Sequence, residues 1–168
     1  VAFNRRSLYW LDVEELEKRI ANHETRNMKH EMRNVEHEAR NTKYETRSAN
    51  RDSLIQDLKD AVELYQGDFL DGFFLADCPA FEEWVLYERT RLQNLALQAL
   101  RQLADYHTSR GEYTTAIAYL KRILSLAPWS EETHRQLMYL YALTDQRSAA
   151  LEQYEQCRRI LQIELGVT

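Results

Sequence analysis

Glycine and proline are scarce in this chain, four and two among 168 residues. Strands joined by tight turns need both as punctuation, so a sheet-rich fold is excluded and helices are expected. Cysteine is scarce too. Cys78 and Cys157 share no C-x-x-C spacing, which excludes a zinc ribbon or disulfide framework and suits reduced thiols in a cytoplasmic protein. No basic excess exists, since the formal charge is −5. A surface that grips nucleic acid neutralises phosphates with Lys and Arg, so direct nucleic-acid binding by this chain is not expected. No apolar run approaches the ~18 residues of a membrane span. The opening "VAFNRRSLYW" has no signal-peptide layout, and no membrane association is expected. Because that opening starts on Val1 rather than Met, a fragment of something longer is expected.

What is present reads as an all-α chain with room for one domain and a buried core. Residues 1–11 read as an extended linker. Asp12 can cap a first helix over residues 12–22, with Glu15 completing a capping box and Val13, Leu16 and Ile20 forming the buried stripe. Residues 23–50 are four copies of a seven-residue unit, "HETRNMK HEMRNVE HEARNTK YETRSAN". Thr25, Met32, Ala39 and Thr46 form one seam position, and Met28, Val35, Thr42 and Ala49 the other. That seam is poor for a coiled coil, because few of its residues are strongly apolar.

Neither functional reading of the heptads survives spacing and charge. His23, His30 and His37 stand about 10 Å apart along a helix axis, too far to share one zinc ion. The six basic residues, Arg26 to Arg47, are nearly cancelled by five glutamates, which argues against a nucleic-acid strip. An inserted helical spacer is the simpler reading. Its seam is displaced by two residues from the stripes on either side, roughly 200° of rotation. The block is therefore expected to project from the body or to break at its ends. Its weak seam makes a homodimer conceivable.

From Ser53 the pattern is globular. Leu54, Ile55, Leu58, Ala61, Val62 and Tyr65 form one apolar face, and Gly67 is expected to cap that helix. "LYQGDFLDGFFLADCPAFEEW", Leu64 to Trp84, holds two glycines, one proline, five acidic residues and six aromatics. Phe69, Leu70, Phe73, Phe74 and Phe81 are expected to pack beneath the helices, with Asp68, Asp71 and Asp77 facing water or capping amides. Pro79 suits the first turn of a helix running to about Arg110, where Gly111 ends it. An enzyme built on the acidic loop is the opposing reading. No His, Lys or Ser lies in the stretch to share proton transfer. Cys78 has acidic neighbours, which disfavours a reactive thiolate. The segment is read as a bend, with no catalytic residue, cofactor or metal. Trp84, Tyr119 and Trp129 are expected to be core rather than ligand-stacking aromatics, and Glu82 and Glu83 to favour a helix start.

Aligning residue n with n+34 pairs Leu103 with Leu137, Ala104 with Met138, and His107 with Tyr141. It also pairs Ala116 with Ala150, Leu120 with Tyr154, and Ile123 with Cys157. This is the tetratricopeptide interval, in which a small residue lets the second helix of each pair lie close to the first. Gly111 sits at the inter-helix turn of the first copy, where the second carries Asp145. Two such repeats alone are marginal, so the helices from Ser53 to about Leu95 are expected to supply a neighbour.

Four segments together resemble one family: "YWLDVEELE" (9–17), "AVELYQGDFLDGFFLADCPAFEEWVLYER" (61–89), "APWSEETHRQLMYLYALTDQRSAALEQYEQCRRIL" (127–161) and "ELGV" (164–167). They are similar to the bacterial transcriptional activator domain of SARP-type regulators, over residues 9–22 and 51–168. The heptad block departs from that family's shorter linker, and Asp145-Gln146-Arg147 stands where a Gly-Arg turn is common. The resemblance implies a tetratricopeptide-like domain, residues 51–168, behind a winged-helix DNA-binding domain that this chain does not include. It implies a regulatory protein–protein interaction role in the cytoplasm, docking the DNA-binding domain in cis, RNA polymerase or another subunit. In tetratricopeptide folds the first helix of each pair lines the concave side. By that geometry Gln98, Arg101, Asp105, Glu132, Arg135 and Tyr139 form a protein-binding groove, Arg101 and Arg135 holding an acidic segment. A tetratricopeptide scaffold unrelated to transcription is the alternative.

Overall fold

The computed structural model describes residues 13–22, 42–73, 75 and 77–165. Six helices lie among them: α1 (13–22), α2 (Thr42–Leu64), α3 (Pro79–Ser109), α4 (Tyr113–Leu126), α5 (Glu131–Leu143) and α6 (Arg147–Leu165). No strand occurs among the described residues, as the shortage of turn formers predicts. The chain divides into two compact bodies, Val1–Ala99 and Leu100–Thr168.

In the first body the α1 stripe is partly realised. Leu16 and Ile20 are buried, while Val13 is half-buried. The capping residue expected at Asp12 lies outside the described residues. The expected face of α2 is in place, with Leu54, Ile55, Leu58, Ala61, Val62 and Tyr65 all buried. Each large side chain removed from water there contributes on the order of 2 kcal/mol before entropy is counted. Charge then sets the seams. Arg19 is held by Glu15 of its own helix and by Asp60 of α2. Arg91 of α3 bridges Glu88 and Glu17, the latter on α1.

Helix α2 runs unbroken from Thr42 into the globular segment, so of the two outcomes expected for the heptad block, a break at its carboxyl end does not occur. Nothing between Thr42 and Asn50 is a helix breaker, and a seam of Thr42, Thr46 and Ala49 does not demand burial. Residues 23–41, with the three histidines and most of the heptads, lie outside the described residues. One sequence expectation about α2 needs correction, the cap at Gly67. The helix ends at Leu64, and the left-handed glycines are Gly72 and Gly111.

The second body holds the period of thirty-four. The carboxyl half of α3 meets α4 where His107 stacks on Tyr119, and α5 packs on both α4 and α6. Leu103 and Leu137 are buried, as are His107 and Tyr141, and Ile123 and Cys157. Ala116 lies in a closed crossing, while its counterpart Ala150 is half-buried. The turns match in detail. Glu112 N–H reaches His107 O at 2.9 Å, and Gln146 N–H reaches Tyr141 O at 2.8 Å. Each is the wide bond of a Schellman ending around a left-handed residue, Gly111 in one copy and Asp145 in the other.

Between the repeats, His134 is buried and uses both ring nitrogens. Nε2–H donates to Pro128 O at 2.9 Å, and Nδ1 accepts from the Gln153 amide at 2.5 Å. The imidazole thus ties the inter-repeat loop to α6 as well as to its own helix. His107 stacks on Tyr119 at 5.5 Å and donates from Nδ1 to Glu112 at 2.5 Å.

Candidate functional site

Two places could carry function, the acidic bend and the exposed faces of α3 and α5. The bend consists of overlapping turns, closed by Asp71 N–H to Asp68 O at 3.2 Å and Phe73 N–H to Leu70 O at 3.0 Å. Leu70 and Asp77 hold positive φ, 52° and 59°, conformations that cost an L-residue energy unless neighbours hold them. At Leu70 Arg89 supplies that hold. Its Nε donates to Phe69 O at 2.7 Å and its Nη2 to Leu70 O at 2.8 Å. The guanidinium fork satisfies two carbonyls that no helix or strand serves. Glu82 does more than favour its helix end, since its carboxylate accepts from Leu75 N–H at 3.2 Å.

The aromatics of the bend divide. Phe69 is buried, with its ring edge-on to Trp84 at 5.5 Å, and Phe81 lies 5.8 Å from Trp84. Phe73, expected beneath the helices, is instead 51% exposed and meets Phe81 edge-on at 5.8 Å. The chain has turned outward by Gly72, so the side chain after it sits outside the core. Phe74 lies outside the described residues. Trp84 and Tyr119 are half-buried, but Trp129 is 58% exposed and is not core. It occupies the loop between repeats, where the helical period that placed it inside no longer applies.

Beside the bend lies a cleft of about 600 Å³, lined by Leu16, Leu64, Phe69 and Leu92 with Glu63, Asp68 and Asp71. No histidine, lysine, serine or cysteine lines it among the described residues. Asp68, Asp71 and Asp77 are exposed. Carboxylates in water with no second group of different environment can bind charge but are poorly set for acid–base work. No cluster of metal-ligating side chains occurs among the described residues. Both cysteines are free. Cys157 is buried, and that burial, with the charge of Glu131 second, pushes its thiol above the usual range.

The expected groove residues sit on the exposed sides of α3 and α5. Gln98 is exposed on α3 within the first body. In the second body Arg101, Asp105, Glu132, Arg135 and Tyr139 are all exposed. Asp105 and Glu132 come close enough to interact. Although Asp105 reaches solvent, desolvation by surrounding atoms lifts its carboxyl above the ordinary range, and the charge of Glu132 lifts it further. Glu132 is also held by Arg135 one turn along α5. Arg101 has no ion-pair partner among the described residues. The centre of this strip is therefore acidic, with a free cation to one side and a paired one to the other. Arg89 and His134 were not singled out by sequence reasoning. Both fall within the quoted motifs, but sequence alone does not say which arginine or histidine turns inward.

No helix among the described residues is long and apolar enough to cross a membrane. Against known proteins, a family model described as the bacterial transcriptional activator domain matches residues 31–168. The match begins inside the heptad block and takes in both repeats. No curated protein and no solved structure matches the chain.

Proposed function

The chain belongs to the bacterial transcriptional activator domain family, and on that premise we propose that the exposed strip of α3 and α5 in the second body is its regulatory docking surface. It binds protein, not nucleic acid, and works in the cytoplasm as part of a transcription activator. Its partners are the DNA-binding domain in cis, RNA polymerase or another subunit. The domain performs no chemistry of its own.

The observation that carries this reading is the position of Asp105, partly desolvated and within electrostatic reach of Glu132. They stand on the first helices of successive repeats, so both helices offer charge to one strip while their opposite faces are buried. Glu132 already has Arg135 beside it, whereas Asp105 has no ion-pair partner among the described residues, and a partner's lysine or arginine seated against Asp105 relieves its repulsion from Glu132. Arg101 is free to take a carboxylate beside it, with bidentate geometry available. Tyr139 extends the surface with a neutral polar contact. An alternating basic and acidic segment is thus the chemistry expected of the partner.

The test is transcription from a target promoter by the full-length regulator, comparing wild type with Asp105→Lys/Glu132→Lys. DNA binding by the double variant should remain, while activation falls by about tenfold or more. Unchanged activation would overturn the reading.

A further inference from the structure

The cleft beside the bend is built wholly from the first body. Its floor is apolar, with Leu16, Phe69 and Leu92 all buried. Its rim carries three exposed carboxylates, Glu63, Asp68 and Asp71. None of the three has an ion-pair partner among the described residues, and no lysine, arginine or histidine among them lines the cleft. A smaller hollow of about 300 Å³, which shares the Phe69 wall, is the contrast. There Glu17 and Glu88 share Arg91, which lines the same hollow. The chain supplies a cation to one hollow and none to the other.

We propose that the larger cleft binds a small organic cation, an amine or amidine carried on an apolar body. Its volume of about 600 Å³ is that of a small-molecule site. The apolar body lies on Leu16, Phe69 and Leu92, where leaving water supplies most of the affinity. The charged head stays at the rim, where the carboxylates attract a cation and repel an anion. A metal ion is a poorer occupant, because these carboxylates form no cluster able to ligate one and the floor offers it no oxygen. The wall is set before anything binds. Arg89 holds the Phe69 and Leu70 carbonyls at 2.7 and 2.8 Å, and the Phe69 ring meets Trp84 edge-on. Asp71 N–H closes on Asp68 O, which keeps both carboxylates on one turn. A cleft formed in advance has little ordering left to lose on binding.

Carboxylates open to water attract only weakly. The affinity is accordingly modest, with Kd about 0.1–1 mM for a ligand with one aromatic ring. The cleft belongs to the first body and the docking strip is argued from the second, so the two proposals stand or fall separately.

Isothermal titration calorimetry of the whole chain with phenethylamine tests it, with phenethyl alcohol and hydrocinnamate as neutral and anionic ligands on the same body. The amine should bind saturably at one site, the alcohol about three- to tenfold more weakly, and the anion more weakly still. Asp68→Asn/Asp71→Asn, at exposed positions that should leave the circular dichroism unchanged, should weaken the amine by about three- to tenfold and leave the alcohol as it was. No saturable binding of the amine up to about 10 mM would overturn the proposal. So would equal binding of amine and anion, or an amine affinity insensitive to the double substitution. Saturable binding of a lysine-phenylalanine-lysine peptide, with none of the amine, would give the cleft to a protein segment and overturn the proposal equally.

Discussion

Gly111 and Asp145 stand thirty-four residues apart and turn the same corner, with φ of 74° and 57°. Two hydrogen bonds correspond, Gly111 N–H to Thr108 O with Asp145 N–H to Ala142 O, and Glu112 N–H to His107 O with Gln146 N–H to Tyr141 O. The second repeat therefore makes with an aspartate the turn that the first makes with glycine. A left-handed L-residue costs roughly 1 to 2 kcal/mol, somewhat less for Asp. Asp145→Gly should therefore raise stability by about 0.5–1 kcal/mol. Gly111→Ala should lower it by about 1 kcal/mol, through backbone strain alone, because nothing crowds a Cβ there. Paired urea unfolding curves measure both, and opposite signs are expected.

The second test concerns the buried imidazole. His134 joins Pro128 O and Gln153 across the repeat boundary. Gln153→Leu leaves Nδ1 without a donor in an apolar setting, which should cost about 1 to 3 kcal/mol. Thermal unfolding of that variant against Gln162→Leu, at an exposed position further along α6, isolates the effect.

The repeat relationship itself predicts an asymmetry. Ile117→Ala should cost about 2 to 4 kcal/mol as a large-to-small change in a closed core. Leu151→Ala, at the equivalent but exposed place on α6, should stay within about 0.5 kcal/mol. Equal costs would mean that α6 is covered within one chain.

Glu112 gives a pH test. The His107 hydrogen bond first, and Arg110 second, hold its carboxyl below the usual range. A lowered folded value means that the unfolded chain binds the proton more readily, so this contribution is present above pH 4.5 and is lost as the pH falls through the depressed folded value. Asp105 has the opposite sign. Its raised value makes the ionised form a cost, relieved as the pH falls from the raised folded value to 3.8. Glu112→Gln should destabilise at neutral pH, with the gap closing in acid. Asp105→Asn should be neutral or stabilising at neutral pH. Denaturation midpoints from pH 3 to 7 check both signs.

The sequence made the architecture plain where periodicity carries the information. The α2 face, the Pro79 start of α3 and the thirty-four-residue pairing all follow from residue spacing, and spacing is set by helix geometry. It said less where backbone leaves the helix. Phe73 and Trp129 look like core by composition, but each sits in a turn whose direction depends on a left-handed residue or on a loop path. Gly67 looked like a cap because glycine so often is one, whereas α2 stops at Leu64 and sends Tyr65 inward. The Arg89 clamp was hidden for the same reason, since carbonyls needing a donor exist only once the bend has folded. The members of the docking strip could be chosen from repeat position. That Asp105 and Glu132 lie within electrostatic reach could not.

The most direct measurement of the central claim is equilibrium binding of purified RNA polymerase, or of the regulator's own DNA-binding domain, to the wild-type chain and to Asp105→Lys/Glu132→Lys, with Tyr154→Arg as a control on a separate surface. At least one of these partners should bind, the strip variant should lose about tenfold or more in affinity for it, and the α6 variant should match wild type. Equal affinity for the strip variant, or no binding by either partner, would contradict the account.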